Sequence, residues 1–179
     1  MYKLVNAPNP ILSKTLKPVG KIDKSVKKIV REMEETLIAQ VDPMGVGLAA
    51  NQVGIDLSLF IIKPTPESRT QVFINPKVME IVEGEIRTQE QMEEDEDVPL
   101  EGCLSIPRIW SPVNRHAKVH LEYTNLRGER KDKWFSGFDA VIIQHEMDHL
   151  HGILFTQRSL EQHMKLYEEK NGKLVEKKV

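Results

Sequence analysis

The stretch 144–152, "QHEMDHLHG", restricts the fold more than any other part of the chain. It holds two histidines four apart, with a glutamate directly after the first. In a helix, residues four apart lie nearly above one another, so His145 and His149 present their imidazoles to the same point. Glu146 lies about 100° round the axis from His145, beside the pair. The preceding residues, "FDAVII", are apolar, so this helix is expected to be buried. Two histidines and two acids on a buried helix are costly unless something compensates them. A metal ion does so: two neutral imidazole ligands and a carboxylate acting as base form the HExxH arrangement.

A catalytic site of this kind needs a third protein ligand and an open fourth position. Continuation as HExxHxxGxxH fails, because Gly152 is present but Phe155 stands where the last histidine would be. Glu168 and Glu169 lie at a plausible distance downstream for a glutamate ligand, though "LYEEKNGK" reads as an exposed, charged helix end. Cys103, in the apolar run "EGCLSIP", is the better candidate. The bland alternative is a small buried hydrophobe, common for a free cysteine.

A chain of 179 residues suits one domain, taken here as 1–179. The formal net charge of −2 argues against a nucleic-acid-binding surface. No apolar run approaches a membrane span, and "MYKLVNAPNP" lacks the features of a signal peptide. With one cysteine no internal disulfide can form, which suits a reducing compartment.

Residues 23–40 read as an amphipathic helix capped by Asp23 or Ser25, with Val26, Ile29, Val30, Met33 and Leu37 on one face. Strand-like runs follow at 57–63, 71–76, 77–86, 98–107 and 117–135, the last with a hairpin turn at Asn125 to Gly128. The acidic run 89–97 reads as a solvated loop and 138–151 as the histidine-bearing helix, ended by Gly152. Residues 158–170 look like a third helix and 171–179 like a frayed tail. The class expected is α+β, with antiparallel strands around a central HExxH helix and a helix near each terminus.

Three stretches, "GVGLAANQ" (45–52), "EGCLS" (101–105) and "QHEMDH" (144–149), resemble in order and spacing the three signature motifs of the peptide deformylases. Pro10, Ile11, Leu12, Pro18 and Val19 resemble that family's opening, and the likeness runs to about residue 160. The resemblance implies removal of the formyl group from N-formylmethionine on nascent chains, with release of formate. It assigns one divalent metal to Cys103, His145 and His149, with Fe2+ native and Zn2+, Ni2+ or Co2+ as substitutes. It makes Glu146 the catalytic base, and Gln52 (side chain) and Leu104 (backbone N–H) the donors to the developing oxyanion. Gly47 matches the glycine beside the substrate channel. Asn51 stands where many members have proline, and residues 108–110, "RIW", differ from familiar forms near the substrate entrance. The implied partners are N-formylmethionyl nascent peptides and, transiently, the ribosome. The expected location is the cytoplasm, as for a bacterial-type enzyme, and an organellar enzyme that has lost its transit peptide is the alternative.

The remaining polar residues divide simply. His116, His120, His151 and His163 match no ligand spacing and are expected as surface or strand residues. Arg115 and Asp148 are expected as a buried pair, with Glu101 accepting a hydrogen bond from a ligand histidine. For the substrate's first side chain, Phe138, Val141 and Ile142 lie upstream of His145 on or near its face, with Val46 opposite. These apolar groups suit an unbranched thioether. A zinc endopeptidase using Glu169, or a ribosome-binding module without activity, are the competing classes. An intact Glu146 argues against the second.

Overall fold

The computed structural model describes residues 1–95 and 98–178. Helix α1 (Lys24–Ile38) starts where the Asp23 carboxylate accepts from the N–H groups of Ser25 and Val26. It buries Val26, Val30, Met33 and Leu37, as the 3.6-residue spacing predicts. Strands β1 (Gly47–Ala49), β2 (Leu59–Ile62) and β3 (Gln71–Val82) follow. After them come the short helix α2 (Gln89–Glu94), β4 (Glu101–Cys103), β5 (Ile106–Ser111), β6 (Lys118–Thr124) and β7 (Arg130–Ser136). Helix α3 (Gly137–Leu150) carries the histidines, and α4 (Phe155–Glu161), β8 (Leu166–Lys170) and β9 (Lys173–Lys177) end the chain.

The strands form two antiparallel sheets, β1-β2-β3-β6-β7 and β4-β5-β8-β9. Strand β2 is buried on both faces and reads as continuous apolar sequence for that reason. Phe60 and Ile62 face the core that contains Ile142, Ile143 and Met147 of α3, whereas Leu59 and Ile61 face the core of α1. Helix α3 packs on β1, β2, β6 and β7. The fold is therefore α+β and antiparallel, as expected. Among the described residues no helix is long and apolar enough to cross a membrane.

The N-terminal segment acts as a strap across all three motif segments. Val5 N–H donates to Gln52 O (2.8 Å), Ala7 N–H to Ser105 O (2.9 Å) and Leu16 N–H to Leu150 O (2.9 Å).

Several expectations need correction. Residues 158–170 are not one helix: α4 stops at Glu161, His163 takes a positive φ of 60°, and Leu166–Lys170 becomes a strand between β5 and β9. Backbone pairing to β9 and β5 overrides the helical propensity of this charged run, since propensity is a weak prior against tertiary context. Residues 171–179 are not frayed as far as they are described. Asn171 and Gly172 (φ 51° and 72°) form the turn of the β8–β9 hairpin, the Asn-Gly pair that a two-residue turn favours. In the acidic run, Gln89–Glu94 is helical because Thr88 and Gln91 cap each other, while residues 96 and 97 lie outside the described residues. The run 71–76 and the first part of the run 77–86 share one strand, β3, which ends at Val82, so residues 83–86 are not strand. The strand shifts register after Ile74. There Asn75 (φ 49°) exchanges two 2.8 Å hydrogen bonds with the Val19 backbone.

Gly152 ends α3 at φ 73°, and a Cβ there would lie 2.5 Å from the Ser13 carbonyl carbon of the strap. Gly128 has a similar φ of 83° but open space around it. Both Gly→Ala changes carry the left-handed penalty of about 1–2 kcal/mol, and only Gly152→Ala adds a backbone clash. Urea unfolding should place Gly152→Ala at least about 1 kcal/mol below Gly128→Ala. Equal losses would mean that the strap is not packed as described.

Candidate metal centre and substrate cavity

Helix α3 buries His145, Glu146, Asp148 and His149 together. The two imidazole centroids lie 5.0 Å apart, and His149 Nε2 is 3.3 Å from Cys103 Sγ. One ligand atom from each of Cys103, His145 and His149 falls within 4.8 Å of the other two. Among the described residues this is the only such group of three. Its sulfur-and-nitrogen donor set fits zinc or ferrous iron, so the residues present fit a divalent transition metal. Glu168 and Glu169 are not brought there: Glu168 pairs with Lys170, and Glu169 reaches Arg108 and Trp110.

Behind the histidines lies an ionic cluster. Arg115 Nε and Nη2 donate to Glu101 (3.0 and 2.7 Å), and Nη1 donates to Asp148 (2.7 Å). Arg158 Nη2 donates to the other Asp148 oxygen at 2.8 Å. Glu101 Oε1 also lies 2.6 Å from His145 Nδ1, the expected support for a ligand histidine. With Nδ1 engaged by Glu101, Nε2 is the ring nitrogen left over for the cluster.

This arrangement gives four buried groups four different protonation tendencies. Burial alone would raise Glu101, but His145 and Arg115 hold it at about 2. Burial disfavours a charged His145, yet the Glu101 carboxylate pushes its pKa well above the ordinary value. His149, desolvated and beside His145, is pushed well below. Desolvation raises Glu146 to about 7, and its Oε2 is buried with no hydrogen-bond partner among the described residues.

Gln52, in a 3₁₀ turn (Ala50–Val53), is buried beside the cluster. Its Oε1 accepts from Ala49 N–H at 2.8 Å, which turns Nε2 toward Cys103 Sγ (3.4 Å) and Ser105 Oγ (3.3 Å). Leu104 occupies the turn between β4 and β5. Gly47 is required sterically, since a Cβ would stand 2.3 Å from Glu146 Oε1 and 2.8 Å from Ile142 Cγ2.

A cavity of about 490 Å³ opens over these groups. Val46, Gly47, Gln52, Leu104, Phe138, Val141, Ile142, His145 and Glu146 all line it, so every residue expected there is brought to it. Sequence reasoning missed Met44, Leu100, Trp110 and Val113, which also line it. Only "RIW" carried a signal, as a local departure near the entrance. A role for Asn51 was missed as well: its Nδ2 donates to His149 O at 2.8 Å, satisfying a carbonyl at the end of α3. His116, His120, His151 and His163 lie outside the cluster, with His120 stacked on Trp134.

The polypeptide deformylase family model matches residues 1–165. The chain belongs to this family. A peptide deformylase of Aquifex aeolicus is 39% identical over 87% of this chain and 85% of its own. The crystal structure of the Thermotoga maritima enzyme has a TM-score of 0.74 and 35% identity, covering 88% of this chain and 97% of that one. A class I type b peptide deformylase from Acinetobacter baumannii, solved with Met-Ala-Ser bound, has a TM-score of 0.73 and 30% identity, covering 88% of this chain and 98% of that one. The protein is accordingly an enzyme that removes the formyl group from the N-terminal methionine of newly made polypeptides.

Arg115 is buried with two carboxylates, whereas the Arg158 side chain is 37% exposed. Arg115→Met leaves Glu101 and Asp148 without their shared cation and should cost about 3–5 kcal/mol in urea unfolding. Arg158→Met should cost about 1 kcal/mol or less, as expected for a partly solvated pair. Equal costs would contradict the central place of Arg115.

Proposed function

We propose that deformylation runs at Cys103 of β4 and His145 and His149 of α3, which hold one divalent metal ion between them, with α3 the central helix of a single catalytic domain spanning 1–179. The observation that carries this reading is the convergence of three buried donors beside Glu146, whose free oxygen is otherwise unexplained. The shared strand β2, with one face in each core, supports a single domain.

Bound there, the ion would lower the pKa of a water and polarise the formyl carbonyl. Glu146, near pH-neutral titration at about 7, takes a proton from the attacking water and returns it to the departing amine. Gln52 Nε2 and the Leu104 N–H donate to the formyl oxygen as negative charge develops on it. Gln52 is suited to this because its carbonyl end is already tied to Ala49 N–H. Gly47 leaves room for the substrate backbone beside Glu146. Val46, Phe138, Val141 and Ile142 offer the methionine side chain an apolar, non-hydrogen-bonding wall. Cys103 is a ligand and not the nucleophile.

We further propose ferrous iron as the native metal, with zinc, nickel or cobalt able to occupy the same donors. The substrate, a formylated nascent chain, supports action in the cytoplasm and a transient association with the ribosome.

Metal analysis should find one ion per chain, lost in Cys103→Ala and kept in Glu169→Ala. The reverse pattern would remove the ligand assignment. Glu146→Ala should keep its metal and lose at least about 10²–10⁴ in formate release from formyl-methionyl peptides. Substantial turnover in that protein would point to another base. Anaerobically prepared iron protein should turn over faster than the zinc form, and equal rates would rule out iron as the preferred metal.

A further inference from the structure

Trp110 forms part of the cavity lining, on β5 rather than on α3. It stands opposite Gly102 across the β4–β5 pair. A Cβ on Gly102 would lie 2.7, 2.8 and 3.2 Å from Cζ3, Cε3 and Cη2 of the indole, so the six-membered ring rests directly on this glycine. The other edge of the indole turns toward β8, where Nε1 donates to Glu169 Oε2 at 3.4 Å. Strand β8 brings Glu169 there through the register Trp110↔Tyr167, since residues two apart on a strand share a face. The second oxygen of Glu169 lies 3.6 Å from Arg108 Nη1. Arg108 is held at φ 61°, an uncommon conformation for a residue with a side chain. The family match ends at residue 165, so the whole β8–β9 hairpin, and Glu169 with it, lies beyond the matched residues.

We propose that Glu169, on the C-terminal hairpin, is a positioning residue that holds the Trp110 ring as the wall met by the substrate chain after its first residue. This rests on reading the cavity as the peptide site. With the formyl group at Glu146 and the first side chain against Val141 and Ile142, later residues must leave past the remaining wall. An indole face offers those residues apolar and stacking contact without fixing one side chain. The hairpin therefore sets peptide preference beyond methionine while taking no part in the chemistry.

The test compares formyl-methionine amide with formyl-Met-Ala-Ser in wild type, Trp110→Ala, Glu169→Ala and Glu169→Gln, with metal content measured in each. Trp110→Ala should raise KM for the longer substrate relative to the shorter by about 10-fold, and Glu169→Ala by about 3-fold. Glu169→Gln keeps an acceptor for the indole N–H and should return the KM ratio to near that of wild type. KM values that move together for both substrates, or a Gln variant as impaired as the Ala variant, overturn the proposal. Absence of formate release from wild type would instead overturn the reading of the activity. Binding keeps the two apart. The chain has two tryptophans, so in a Trp134→Phe, Glu146→Ala background the emission reports Trp110 alone. Titration with formyl-Met-Ala-Ser should change that emission, and Glu169→Ala should weaken the affinity by the same factor. An unresponsive Trp110 overturns the proposal whether or not turnover occurs.

Discussion

One buried guanidinium holds the two halves of the site together. Arg115 joins Glu101 of β4 to Asp148 of α3, and through Glu101 it reaches His145. Without it, two carboxylates would sit together in a region from which water is excluded, which is among the costlier arrangements a protein can contain. With it, the strand that carries Cys103 is locked against the helix that carries the histidines. The spacing makes this lock work. Glu101 and Cys103 are two residues apart on a strand, about 6.6 Å, and His145 and His149 are four apart on a helix, about 6 Å. Glu101 meets His145, and Cys103 lies against His149 and also interacts with His145.

Close backbone approach supplies the rest of the geometry. Gly47 lets β1 press on Glu146 and Ile142, Gly102 lets the Trp110 ring lie on β4, and Gly152 admits the N-terminal strap at the end of α3. The strap in turn donates to the segments bearing Gln52, Ser105 and Leu150, so each motif is tied to the others by backbone as well as by side chain. Asn51 adds a further tie, from the first motif to the His149 carbonyl.

Two buried carboxylates near the cluster are treated in opposite ways. Glu101, between a histidine and an arginine, stays ionised down to about 2. Glu146, desolvated and with one oxygen free, is raised to about 7. The two are moved in opposite directions by their surroundings and not by residue type. This deformylase has a buried ionic cluster that joins β4 to α3, and the cavity beside it is lined largely by apolar side chains.

Much of this was legible in the residues. Helical spacing revealed α1 and the histidine face of α3, apolar runs revealed β2 and β3, and three short motifs pointed to the family and to the residues that converge. These signals are local or depend on residue type, so they survive without coordinates. The C-terminal region was misread because its decisive force is not local. Residues 166–170 carry a charged, helix-tolerant sequence and become a strand because they pair with β9 on one side and with β5 on the other. The Asn171-Gly172 turn was a legible sign of the hairpin, but a turn has meaning only when both flanking strands are recognised. Trp110 as a cavity wall, Asn51 as a partner for a carbonyl 98 residues away, and the contact between Glu169 and the indole were decided by tertiary structure alone. Each depends on where a distant segment lands, and nothing within a few residues of these positions encodes that distance.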